Sequence, residues 1–207
     1  MPGADPTALP AVLAFRAHSG WAALVALAGD ARSPRIALRR RVEMADPDDG
    51  AAKQPYHAAE DLKLARARSL LKRLSDDARA RARRALGDAL KELRRTGFAP
   101  RSAVVLQASG RLPDRLEAIL ASHAFIHSAD GEHFREALAH ACTRAGLTVS
   151  RLPEREILAS AVAALRLSPD ELQDRVAAMG REMGPPWTAD QKMAAMAAWL
   201  QLAAGRP

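Results

Sequence analysis

From Ala59 to Arg95 the chain contains no proline and a single glycine, Gly87, while Leu or Ala recurs at helical spacing. Ala67, Leu70, Leu71, Leu74, Ala78, Ala82, Ala85, Ala89 and Leu93 fall on one broad face. That pattern predicts a long amphipathic helix. The same segment holds the charge. Residues 51–97 carry 13 Lys+Arg against six Asp+Glu, which accounts for the net charge of +7; elsewhere the two signs balance. Off the apolar face, Arg66, Arg73, Arg84, Lys91 and Arg95 are separated by 7, 11, 7 and 4 residues. At about 100° per residue they form one narrow stripe if the helix is unbroken. Asp77 and Asp88 lie near it, and Ser75 with Asp76 and Asp77 could cap a second helix and break the alignment. The stripe is either a phosphate-tracking surface for DNA or RNA or a solvated face laced with i,i+4 charge pairs.

Ahead of this helix the chain reads as strands. Ala11–Phe15 and Trp21–Ala28 are apolar runs joined at His18-Ser19-Gly20, and in Pro34–Glu43 apolar and basic residues alternate. Three strands with short turns make an antiparallel meander. Residues 44–55 are rich in turn formers and charge and are expected to be a mobile loop. After the helix, Ala103–Gln107 and Leu147–Ser150 read as strands. Helical spacing runs from Pro113 to Ala141, with a joint expected at Ser128–Gly131. Further helices start at Pro153, at the capping box Ser168–Glu171 and at Thr188. Residues 185–187 read as a short linker. The order β-β-β-α-β-α-β-α-α predicts a single α/β domain over residues 1–207, with a mixed five-stranded sheet and helices on both faces.

Three segments resemble RuvC-type Holliday-junction resolvases of the ribonuclease H-like superfamily. "VLAFRAHSGWAALVAL" (12–27) is similar to their first hairpin, "AVVLQASG" (103–110) to their fourth strand, and "TADQKMAAMAAWL" (188–200) to their last helix. The resemblance implies a ribonuclease H-like fold and a cleft in which carboxylates hold two divalent metals. Carried over position by position, the first-strand Asp falls on Arg16 and the fourth-strand Glu on Gln107. Only Asp190 keeps an acid. No acid occurs between Asp5 and Asp30 or between Glu92 and Asp114. The expectation is a degenerate cleft of Arg16, His18, Gln107 and Asp190 with no catalytic residues, in a pseudo-nuclease that binds nucleic acid through the basic helix.

Two other readings stay open. His123 and His127 at i,i+4, with Asp130 at i+7, offer two imidazoles and a carboxylate for one metal ion, and Glu132 and His133 follow as acid–base candidates. Alternatively the Ala-rich helices serve as a protein-interaction scaffold or homodimer surface. Tyr56 is expected to anchor the preceding loop, and Trp21 and Trp199 to pack in the core. Cys142 is the only cysteine, which excludes a disulfide scaffold and Cys-rich zinc modules. There is no Walker A sequence, G-x-G-x-x-G or G-x-S-x-G. The longest strongly apolar run, Trp21–Ala28, is too short to span a bilayer. A bacterial, cytoplasmic protein without cofactor or membrane attachment is expected.

Overall fold

The computed structural model describes residues 7–205. Five strands, β1 (Leu9–His18), β2 (Trp21–Asp30), β3 (Ser33–Glu43), β4 (Phe98–Gln107) and β5 (Thr148–Pro153), form one sheet in the order β3-β2-β1-β4-β5. β1 pairs antiparallel with β2 and parallel with β4, so it lies at the centre. β2 pairs antiparallel with β3, and β4 parallel with β5. This is the mixed α/β sheet with ribonuclease H-like topology that the element order predicts.

The period-2 alternation of the central strands sorts the core into two layers. Leu13 and Phe15 of β1, Leu24 and Ala26 of β2, and Ala103 and Val105 of β4 face one side. Helices α2 (Leu64–Arg95) and α4 (His123–Arg144) cover it. Val12, Ala14, Val25, Leu27, Val104 and Leu106 face the other. There α5 (Ile157–Leu165), α6 (Pro169–Met183) and α7 (Ala189–Ala203) pack. α7 meets the sheet through Ala194, Ala195, Ala197 and Ala198. These small side chains let the helix come close to strands buried on both faces. Ile36 and Leu38, two residues apart on β3, join opposite layers. A register shift between Ala26 and Leu27 of β2 accounts for this, because a bulge reverses the facing of every residue beyond it.

Several boundaries differ from the sequence reading. The basic helix is one element, with no break at Ser75, but it starts at Leu64, and a 3-10 turn at His57–Ala59 precedes it. Leu86 and Leu90 join its buried face. Residues 44–55 contain a helical turn, α1 (Gly50–Lys53), in which the Asp49 side chain accepts from the Ala52 backbone N–H, and bury Met44, Ala45 and Ala52. The expected helix from Pro113 is instead a short α3 (Leu116–Leu120), and the joint falls at Ala121–Ser122. α4 runs unbroken through Ser128–Gly131. A helical glycine is unfavourable by roughly 1 kcal/mol. Gly131 is accommodated because the Arg135 guanidinium lies over it, 3.0 Å from where a Cβ would stand. The 185–187 segment is packed rather than free-standing: Trp187 sits on Gly180 of α6 and donates its Nε1–H to the Val176 carbonyl at 2.9 Å.

Candidate functional site

Arg16 and His18 share the parity of Val12 and Ala14, so they project from the C-terminal end of β1 toward the α7 layer. Thr188 and Gln191 close a capping box that starts α7, and Asp190 lies in its first turn. Glu154 enters from a 3-10 turn, Glu154–Glu156, directly after β5. Three distant stretches of chain therefore converge. The Arg16 guanidinium donates one hydrogen bond to Asp190 Oδ1 through NH1 and one to Glu154 Oε1 through NH2. His18 Nε2 lies 2.9 Å from Asp190 Oδ1. All four side chains are partly exposed. The Glu154 hydrogen bond, with the charges of Glu154 and Asp190, holds the Arg16 pKa above its ordinary value against the opposing effect of burial.

At this sheet end a cation is held between two carboxylates. Two negative groups bridged by a fixed guanidinium present little attraction for a divalent metal, since the bridging charge repels it at close range. Of the predicted cleft residues, Arg16, His18 and Asp190 come together. Gln107 does not bond to them; it pairs in register with Pro153 and lines a cleft of about 270 Å³ with Arg111, Ser128, Glu132 and Arg135. Glu132 is engaged there by Arg151 and Arg135. Glu154 was missed. Its only sequence signal is its place just past a β-strand.

Beside this cluster, His18 stacks on Trp21 at 4.4 Å between ring centroids, and the Arg41 guanidinium lies over the Trp21 ring, 3.7 Å from its centroid. Trp21 is thus a half-exposed platform at the hairpin end rather than a core residue. Trp199 is the core residue expected, 1% exposed, with its Nε1–H donated to the Ala31 carbonyl.

The basic stripe belongs to the opposite layer of the sheet. Arg66, Arg73, Arg84, Lys91 and Arg95 are all exposed along one continuous α2. Lys91 has Asp88 at 3.7 Å, while Arg66, Arg73, Arg84 and Arg95 form no ion pair among the described residues. Asp77 is engaged by Arg81 at 2.9 Å, which removes part of its opposition to the stripe.

The His123/His127/Asp130 set is rearranged. His123 and His127 stand together on α4, with Nε2 atoms 3.0 Å apart. Asp130 is buried and faces elsewhere, accepting hydrogen bonds from His57 Nδ1 and from the Tyr56 backbone N–H. His57 takes the third place in the cluster. Burial raises the Asp130 pKa, and the His57 and Tyr56 hydrogen bonds offset part of that. Tyr56 packs its segment against the buried cluster of Ala59, Ala67 and Leu71, as expected of an anchor. His133 is half-buried, and burial lowers its pKa to about 4. Cys142 lies in the core with its thiol pushed up to about 12 by burial, so it is chemically inert.

The fold is similar to that of solved RuvC structures. Thermus thermophilus RuvC in complex with a Holliday junction substrate matches over 95% of this chain and 94% of its own, with a TM-score of 0.53 and 13% identity. A second Thermus thermophilus RuvC structure matches over 95% of each chain, with a TM-score of 0.54 and 12% identity. No protein-family model matches the chain, and no curated protein matches it in sequence. At this level of identity the likeness establishes the fold: the chain has a RuvC-like, ribonuclease H-like architecture. No helix among the described residues is long and apolar enough to cross a membrane.

Proposed function

We propose that this chain is a catalytically degenerate RuvC-like domain that binds DNA or RNA through phosphate contacts along α2. The observation that carries the loss of cleavage is Arg16. Two-metal phosphodiester cleavage needs converging carboxylates free to clamp two cations. Here the first-strand position holds a guanidinium that bridges Glu154 and Asp190 and offsets one of their two negative charges. One of the solved RuvC structures is a complex with a Holliday junction, and that supports nucleic acid as the ligand class. The exposed, largely unpaired cations on α2 supply a surface for it. Binding of this kind reads charge spacing and shape, with little sequence preference. The His18–Trp21–Arg41 stack beside the cleft offers a second contact surface for an unpaired base.

The test is an anisotropy titration of labelled four-way junction, duplex and single strand at about 50 mM salt, paired with a cleavage assay in Mg²⁺ and Mn²⁺. The expected result is binding tighter than the range of about 10⁻⁴ to 10⁻⁶ M typical of non-specific contacts at physiological salt, without cleavage. Absence of binding to all three would favour the protein-interaction scaffold. Junction cleavage that disappears in Asp190→Asn would show an intact metal site.

A further inference from the structure

Outside the cleft, three imidazoles converge where the segment leading into α2 crosses α4. His123 and His127 are one helical turn apart on α4, and His57 reaches them from the 3-10 turn before α2. The ring centroids are 4.4 Å apart for His57–His127 and His123–His127, and 5.3 Å for His57–His123. One ring nitrogen from each lies within 4.8 Å of the other two. Tetrahedral zinc at about 2.0–2.1 Å from each nitrogen requires ligand atoms roughly 3.3 Å apart. The required adjustment is of the order of an ångström, and exposed His123 and His127 rotamers can supply it.

The group behind the cluster makes it more than three nearby rings. Asp130, 3% exposed, binds His57 Nδ1 and the backbone N–H of Tyr56. It fixes both the ring orientation and the segment that carries it, and leaves His57 Nε2 directed away from the carboxylate. A buried carboxylate holding the far nitrogen of a ligating histidine is the arrangement that orients such ligands and raises their basicity. Burying a carboxylate is costly unless it is paired, and here its pairing serves to present one imidazole to two others.

We propose that His57, His123 and His127 bind one Zn²⁺, with Asp130 as the positioning residue for His57 and the fourth coordination position open to solvent. The site uses none of the residues assigned to nucleic-acid binding, so it stands or falls independently. It would pin the entry of α2 to α4, joining His57 and His123, which are 66 positions apart in the chain.

The experiment titrates the metal-free full chain with Zn²⁺ against a chromogenic chelator, with Co²⁺ absorption as a readout of ligand geometry. One ion per chain is expected, with tetrahedral-type Co²⁺ bands. His123→Ala and His127→Ala change exposed side chains and should retain the fold by circular dichroism while losing binding. Asp130→Asn should weaken affinity by about 10–100-fold, whereas His18→Gln should leave it unchanged. Failure of the wild-type chain to take up one ion, or retained affinity in His123→Ala and His127→Ala, overturns the site. Binding lost in His18→Gln but kept in both α4 variants would place the ion in the Arg16 cleft and equally overturn it.

Discussion

Replacing Arg16 by Ala strips both carboxylates of their cation at once, and the structure sets the scale of the loss. Two charge-assisted hydrogen bonds disappear, one to Asp190 and one to Glu154. Bonds to charged partners are each worth roughly 1.5–3 kcal/mol when well shielded. The side chains here are 25%, 34% and 22% exposed for Arg16, Glu154 and Asp190, so solvent screening takes a substantial share. The remaining carboxylates then face each other unneutralised. A net destabilisation of about 2 kcal/mol follows from these opposing effects. With a urea m-value of about 2 kcal/mol/M, the unfolding midpoint should fall by about 1 M. Arg16→Asp should fall further in chelator, because three carboxylates then converge. Added Mg²⁺ or Mn²⁺ should restore part of that variant's stability and leave the wild-type curve unmoved. A midpoint shift below about 0.3 M for Arg16→Ala, within the uncertainty of such curves, would refute the bridging role. So would equal stability of Arg16→Asp with and without metal.

Two further predictions concern packing and acid response. Burial lowers the His133 pKa to about 4, against 6.5 in the unfolded chain, with the Arg79 charge adding to the shift and the Leu74 backbone opposing it, and the ring Nε2 is buried without a partner among the described residues. The unfolded state therefore gains a proton first as pH falls; the stability this residue contributes is complete above about 6.5 and is lost progressively toward 4. Urea titrations should show wild type losing about 2 kcal/mol more than His133→Gln between pH 7 and pH 5; parallel losses would contradict this. In Gly180→Ala, the new Cβ would stand 2.2 Å from Trp187 Cδ1 and Cγ, so Trp187 must leave its seat. A cost of about 1–3 kcal/mol and a red-shifted indole emission are expected; an unchanged spectrum would mean α6 yields instead.

The parts of the fold legible in the sequence are those with local cause. The apolar runs of β1, β2 and β4, the alternation in β3, the Gly20 turn with its φ of 84°, and the two capping boxes each follow from a few neighbouring residues. The mixed five-stranded sheet followed from the element order and the right-handed crossover rule. What escaped depended on distant partners. Gly131 looks like a helix joint until Arg135 is seen covering it. Trp21 looks like core until Arg41 and His18 are found on its faces. Glu154 and Arg16 are separated by 138 residues, and His57 and Asp130 by 73. No spacing rule links residues that meet only because two crossovers return to one sheet. The candidate site was accordingly half legible: Arg16, His18 and Asp190 assemble as the resemblance implied, while Gln107 stands apart and Glu154 completes the cluster.

The central claim is that α2 engages phosphates. Arg66 and Arg95 lie 29 positions apart on one helix, about 44 Å at 1.5 Å per residue, and Arg66, Arg73, Arg84, Lys91 and Arg95 sit within a narrow arc of it. If these reach about four to five phosphates, log K for duplex DNA should fall against log salt with a slope of roughly −3.5 to −4.5. Arg84→Ala should reduce the slope by about one and weaken every sequence alike, while Asp88→Asn should tighten binding modestly. Measuring that slope for wild type and Arg84→Ala is the most direct test. A wild-type slope near −4 that drops to about −3 supports the account; binding that is insensitive to salt, or unchanged in Arg84→Ala, contradicts it.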